Sequence, residues 1–173
     1  MHPTSQSTAQ AGTQPKHLVQ LEQFVDEIAA LHSKLILLIG PPGSGKTRLL
    51  KALGLSTQTV PLNLGSALGR QLAAIPQKQR HLQAGTLLRE LAGQHANGDI
   101  LLIDNIELLF DTSLQLNPLD LLKRNANTKR VVAVWPGELR GDGNMARLTY
   151  ADLGHTEQRS YGLDGWVPLH LQP

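Results

Sequence analysis

Apolar positions change their period several times along this chain, and each change marks an element. From His17 to His32, Leu18, Leu21, Phe24, Val25, Ile28 and Leu31 fall on one face of a helix. Lys34–Ile39 is then an unbroken aliphatic run after one lysine, the pattern of a strand covered on both faces. A glycine-rich loop follows, and Arg48–Leu53 reads as a helix closed by Gly54. Gln58–Leu62 is a short candidate strand. Two helical patterns fill residues 65–96, one with Leu68, Leu72 and Ile75 stopping at Pro76, the other with Leu82, Leu87, Leu88 and Leu91. The turn dipeptide Asn97-Gly98 leads into Ile100–Asp104, a second buried strand. Asn117-Pro118 has the form of an N-cap followed by proline at the first helical position, opening a helix to about Arg124. Arg130–Trp135 is a third apolar strand, halted by Pro136-Gly137, and Leu148–Tyr150 and Trp166–Leu169 are further candidate strands.

Strands alternating with helical stretches predict an α/β fold with a mostly parallel sheet and helices on both faces, three layers in all. Residues 1–16 are polar, lack an apolar period and contain no acid, so they are expected to form a disordered leader. Residues 17–173 are expected to form a single domain.

Composition narrows the chemistry. Of 173 residues 40% are apolar, enough for a core, but only 3% are aromatic, which argues against a stacking platform for single-stranded nucleic acid. The absence of cysteine excludes disulfides, thiolate metal sites, iron–sulfur clusters and cysteine nucleophiles. No apolar run reaches membrane-spanning length and no signal peptide opens the sequence, so the expectation is a soluble cytoplasmic protein with no membrane partner.

Gly40-Pro41-Pro42-Gly43-Ser44-Gly45-Lys46-Thr47 fits G-x-x-x-x-G-K-[ST] at every required position. Polyphosphate packs several negative charges into a small volume. Glycines let the backbone wrap it and aim N–H groups inward, and the following helix adds its positive end. Lys46 reaches the β- and γ-phosphates in such a loop, and the Thr47 hydroxyl binds Mg²⁺. The expected ligand is a purine nucleoside triphosphate, ATP, with Mg²⁺. A buried strand before the loop and a helix after it make a chance match improbable.

Such a site needs a carboxylate near the metal at the end of a neighbouring strand, and Asp104 supplies one. Asp104 could also simply cap the next element. Hydrolysis further needs a group to orient or deprotonate water. Asn105 follows Asp104, and an amide orients water but cannot take its proton. Glu107 lies three residues beyond Asp104, either turned toward the site or paired with Asp104 as a cap. Lys46, Asn105 and Glu107 are therefore the candidate catalytic residues, and slow or partner-dependent ATP hydrolysis is expected.

Net charge is only +2, from 16 basic and 14 acidic residues, but it is segregated. Residues 66–90 and 123–150 are rich in base, whereas 91–122 hold five acids and no base. The basic blocks read first as solvated faces, with at most weak, sequence-independent DNA contact. Arg124, Arg130 or Arg140 could complete a neighbouring subunit's site as a charge-stabilising finger. Asp152, His155 and Glu157 lack a further ligand at metal spacing and read as a hydrogen-bonded turn. Trp135 reads as core filling at a strand end.

The loop, the stretch Leu102-Ile103-Asp104-Asn105-Ile106-Glu107 and the intervening helices resemble the ATPase core of the AAA+ class, especially its replication-initiator-like branch. Asn117–Lys123, Val132–Gly137, and Leu148–Ala151 with Gly154–Glu157 resemble the BrxF family, the small P-loop proteins of type-three BREX bacteriophage-defence systems. The likeness spans roughly residues 17–170. It implies an AAA+-like P-loop NTPase core in a bacterial cytoplasmic complex. The companions it implies are a methyltransferase, a phosphatase-like protein and a larger ATPase. By the same resemblance Gly40–Thr47 and Asp104 hold nucleotide and metal, and the protein self-associates under nucleotide control. Three departures stand out. Asn105 replaces an acid, Trp135 stands where a polar sensor is usual, and no stretch after the final strands offers the class's C-terminal helical lid. Two rivals stay open: a nucleotide-gated adaptor without useful turnover, and a small-molecule kinase with Arg140–Arg147 as its lid.

Overall fold

The computed structural model describes residues 5–140, 147–149 and 165–172, with side chains for 16–139 and 165–172. The first helix, α1 (Ser5–Ile28), starts well before His17, so residues 5–16, expected as a disordered leader, form its opening turns. It ends one turn short of the predicted His32, and Leu31 is left 47% exposed. Leu21, Val25 and Ile28 are its buried stripe.

The first strand, β1 (Leu35–Ile39), is buried at all five positions. After the glycine-rich loop, α2 (Lys46–Thr57) runs through Gly54 rather than ending there. The reason is steric. A Cβ on Gly54 would stand 2.5 Å from the Thr59 carbonyl oxygen, so the glycine makes room for the returning chain. The helix stops instead at Gln58, which takes the left-handed conformation (φ 56°). This displaces the expected strand over 58–62. The observed β2 (Leu62–Asn63) is two residues long, and Asn63 at once caps α3 (Leu64–Ala73) by accepting from the Ser66 amide at 3.1 Å.

Next come α4 (Arg80–His95) and β3 (Ile100–Asp104). Asn117 caps α5 (Pro118–Asn125) through its Oδ1 and the Asp120 amide, as the Asn-Pro signature predicts. The remaining strands are β4 (Arg130–Val134), β5 (Glu138–Arg140), β6 (Arg147–Thr149) and β7 (Val167–His170). β5 and β6 form a separate antiparallel pair. Tyr150, Asp152, His155 and Glu157 lie outside the described residues. Among the described residues α5 is the final helix, and only strands and turns follow it.

The main sheet has the order β2-β3-β4-β1-β7, and every pairing in it is parallel. Because strand side chains alternate, the runs that looked uniformly apolar serve two cores. Ile36, Leu38, Leu102, Val132 and Val134 face α1 and α2. Leu35, Leu37, Ile39, Leu101, Ile103, Val131 and Ala133 face α3, α4 and α5. The result is the expected three-layer α/β sandwich.

At the amino ends of β3 and β4, Arg130 makes a two-pronged ion pair with Asp99, Nε to Oδ2 at 2.8 Å and Nη2 to Oδ1 at 2.9 Å. Its third nitrogen donates to the Val25 carbonyl at 3.2 Å. Arg130 is thereby occupied at the far end of the sheet from the glycine-rich loop. It is not available as a finger for a neighbouring subunit.

Candidate functional site

In an open parallel sheet, ligands bind at the carboxyl ends of the strands. Here that edge carries Gly40 after β1, Asp104 closing β3 and Trp135 after β4. The loop's conformation explains its glycines. Gly43 and Gly45 adopt φ values of 81° and 94°, the left-handed region closed to most side chains. Gly40 is ordinary in φ but crowded: a Cβ there would meet the Leu171 carbonyl oxygen and Ser44 Oγ, each at 2.6 Å. Gly45 serves as the N-cap of α2 without any side-chain hydrogen bond, so the helix presents bare N–H groups to whatever occupies the loop.

Lys46 sits at the centre. Its ammonium donates to the Gly40 carbonyl across the loop. Burial pushes its pKa below the ordinary lysine range, while the carboxylates of Glu107 and then Asp104 pull it back up. Both acids predicted to lie near the loop therefore act on the Lys46 charge. Thr47 is exposed beside it. Ser44 Oγ is buried and has no hydrogen-bond partner among the described residues.

Asp104 is 8% exposed, which is low for a carboxylate with no ion-pair partner among the described residues. One of its oxygens accepts from the Asn105 amide at 2.8 Å. No side chain caps the turn that begins at Glu107, whose N-cap position is Ile106. Asn105 is exposed and left-handed (φ 56°), a conformation that asparagine tolerates better than most residues. Its carbonyl accepts from the Gly65 amide at 2.9 Å, which ties this corner to the start of α3. Glu107 is exposed and begins a one-turn 3₁₀ helix, Glu107–Phe110, rather than an α-helix from Asp104.

That turn is held from beneath, a feature the sequence reading missed. Phe110 packs edge-on against Trp135, with ring centroids 5.2 Å apart and planes at 79°. Trp135 is fully buried, and its amide continues the β4 ladder by donating to the Leu38 carbonyl at 2.9 Å. A tryptophan ending a buried strand and a phenylalanine ending the acidic segment were the available signals.

The residues present suit a magnesium–nucleotide complex. Left-handed glycines, an uncapped helix start and a desolvated ammonium form an anion cradle, and the buried carboxylate of Asp104 and the Thr47 hydroxyl are hard-oxygen donors of the kind Mg²⁺ takes. Arg124 pairs with Asp120 at 2.9 Å on the exposed face of α5, and Arg140 has no described side chain.

The family model described as AAA, ATPase family associated with various cellular activities, matches residues 36–133, from β1 to β4. No curated protein matches the chain. A solved structure of C. elegans PCH-2 is similar at 16% identity and a TM-score of 0.40, over 94% of this chain and 42% of that one. The chain therefore spans less than half the length of that protein.

Proposed function

This chain belongs to the AAA family of ATPases, and from that premise we propose that residues 17–173 are the nucleotide-controlled module of a bacterial phage-defence complex of the BrxF type. The defence assignment rests on the resemblance through Asn117–Lys123 and Val132–Gly137. The nucleotide assignment rests on one observation above all. The loop 40–47 is shaped by two left-handed glycines and one sterically forced glycine around a half-buried lysine.

In this reading Gly40, Pro41, Pro42, Gly43, Ser44 and Gly45 wrap the phosphates of ATP. Lys46 leaves the Gly40 carbonyl to bind the β- and γ-oxygens, and Thr47 and Asp104 hold Mg²⁺. When bound, Mg²⁺ neutralises charge on the terminal phosphates. Glu107 is the carboxylate available to take a proton from water, with Asn105 orienting that water. ATP favours an assembled state of this protein by binding it more tightly, alone or with a methyltransferase, a phosphatase-like protein and a larger ATPase in the cytoplasm. Any DNA contact of the isolated protein is weak and falls steeply with salt.

Calorimetry with Mg²⁺ and ATP on the native chain and on Lys46→Ala tests the site. Binding by the first and a loss of about a hundredfold in the second is expected; no uptake by the native chain would overturn the reading. Mass measured with and without ATP tests assembly, and a monomer under both conditions would refute nucleotide-controlled self-association.

A second reading, a nucleotide-gated adaptor without useful turnover, is favoured by Asn105 in the usual place of an acid and by fully buried Trp135 in the usual place of a polar sensor. Phosphate release by the native chain at the rate of Lys46→Ala would select it.

A further inference from the structure

The two base-rich blocks of the sequence, 66–90 and 123–150, stand far apart along the chain, and the fold brings members of each together. Arg89 comes from the first block, on α4, and Arg124 from the second, on α5. Both line one groove between these helices, about 400 Å³ in volume, on the opposite face of the sheet from α1 and α2.

Three features define what this groove can hold. The first is charge. Arg89 is exposed and has neither an ion pair nor a hydrogen bond among the described residues. Arg124 pairs with Asp120 one turn before it, but the two side chains are 72% and 49% exposed, so the pairing is weak and an incoming carboxylate can share the guanidinium. The second is apolar surface. Leu82 is 72% exposed, and Leu116 and Leu121 are half-buried along the same groove. The third is room. Gly85 lies in the lining, and a Cβ there would meet only Leu121 Cδ2, at an ordinary contact distance of 3.8 Å.

A nucleic-acid backbone suits these features poorly. The leucines would lie against charged phosphate oxygens, and Asp120 would repel them. Among the described residues, no phenylalanine, tyrosine or tryptophan lines the groove to stack a base. A polypeptide whose carboxylates flank an aliphatic side chain satisfies all three features at once.

We propose that the groove between α4 and α5 docks an acidic, aliphatic-bearing segment of another protein. Its carboxylates meet Arg89 and Arg124, and its aliphatic side chain packs over Gly85 against Leu82, Leu116 and Leu121. No residue of the loop 40–47 lines this groove, so the docked segment and a bound nucleotide occupy separate surfaces.

The test selects binders from a phage-displayed library of random peptides on the native chain, with counter-selection on Gly85→Met. The methionine fills the floor of the groove and suits a helix better than glycine, so the melting temperature is expected to hold. The expected winners carry carboxylates on both sides of an aliphatic residue. The leading peptide, made synthetically, should bind Arg89→Glu and Gly85→Met at least about tenfold more weakly than the native chain. Both variants should keep the native affinity for Mg²⁺–ATP. Changing the peptide's acids to lysine should restore binding to Arg89→Glu. Selected peptides that are basic or uncharged, or a selection that finds none able to tell the native chain from Gly85→Met, would overturn the proposal. So would mixed-sequence duplex DNA that binds the native chain, competes with the peptide and loses more affinity than the peptide does in Arg89→Glu. If Gly85→Met fails to fold, Arg89→Glu and the charge exchange decide alone, and a peptide indifferent to both would refute the docking site.

Discussion

Lys46 shows how one residue is strained by its own fold. Its ammonium is desolvated in the loop, and the two acids compensate only in part, so its folded pKa lies below its unfolded value. The unfolded chain therefore holds this proton more tightly. Below the folded pKa the charged form costs stability in full, and that cost fades as pH rises through the folded pKa toward the ordinary lysine value. The expected outcome is that unfolding free energy of the native chain rises relative to Lys46→Met as pH is taken from about 8 to about 10. Denaturant titrations at several pH values check it, and a gap that stays constant would contradict the desolvation. Asp99 has the opposite sign. Its hydrogen bonds to Arg130 hold its carboxyl below the usual range, so the pair's contribution is present above about pH 4 and disappears as pH falls through the depressed folded value. The stability difference between native protein and Asp99→Asn is expected to shrink to nothing in acid. The effect is small, since Asp99 is 56% exposed and solvent screens the pair.

At the scale of elements, what could be read in the sequence was what repeats or what must be a particular residue. The strands β1, β3 and β4 stood out because parallel strands covered on both faces are continuous aliphatic runs, and the cap of α5 because Asn117-Pro118 satisfies two needs of a helix start at once. The glycines of the candidate loop Gly40–Thr47 were legible for the same reason, since its backbone geometry demands glycine at fixed positions, and Asp104 stood out as a carboxylate closing an aliphatic run. Elements set by tertiary contact were not. Gly54 resembles a helix stop, but its role is the close passage of Thr59, which lies five residues on and carries no local signal. β2 is too short to show a period. The link between Phe110 and Trp135 joins residues 25 positions apart by ring packing alone. The Asp99–Arg130 pair did leave a trace, since opposite charges stand before two buried runs that pair in parallel. Gly54 yields a sharp test. In a free helix Gly→Ala stabilises by about 1 kcal/mol. Here the added methyl meets the Thr59 carbonyl oxygen, so Gly54→Ala is expected to destabilise by about 1–3 kcal/mol. Denaturant unfolding of that variant checks the sign.

For the whole molecule, the main sheet divides into a half that carries Asp104, β2-β3-β4, and a half that carries the loop, β1-β7. The acidic corner is tied to α3 through the Asn105 carbonyl and Gly65, and its 3₁₀ turn stands on Trp135. Removing Phe110 should therefore loosen Glu107 as well as open a cavity. Phe110→Ala is expected to cost about 2–3 kcal/mol, at the lower end for a phenylalanine because the ring is only partly buried, while Mg²⁺–ATP affinity stays near that of the native chain. A large loss of affinity in a variant that still melts cooperatively would show that the aromatic pair supports the nucleotide cradle itself rather than the acidic turn.

No helix among the described residues is long and apolar enough to cross a membrane. Among the described residues, both edge strands of the main sheet are poor templates for a stray strand. β2 is too short to recruit a stray strand, and β7 carries Pro168 facing solvent, which removes an amide from the open edge.

The pairing of β1 with β7 also sets an order of events during synthesis. β1 and its loop leave the ribosome early, yet one wall of that loop, the Leu171 carbonyl, is made more than a hundred residues later. A nascent chain can gather its helices and four strands of the main sheet, but the mouth of the loop closes only when this distant partner arrives. ATP-stabilised protection from protease is consequently expected in a single step, only after the strand Val167–His170 has emerged.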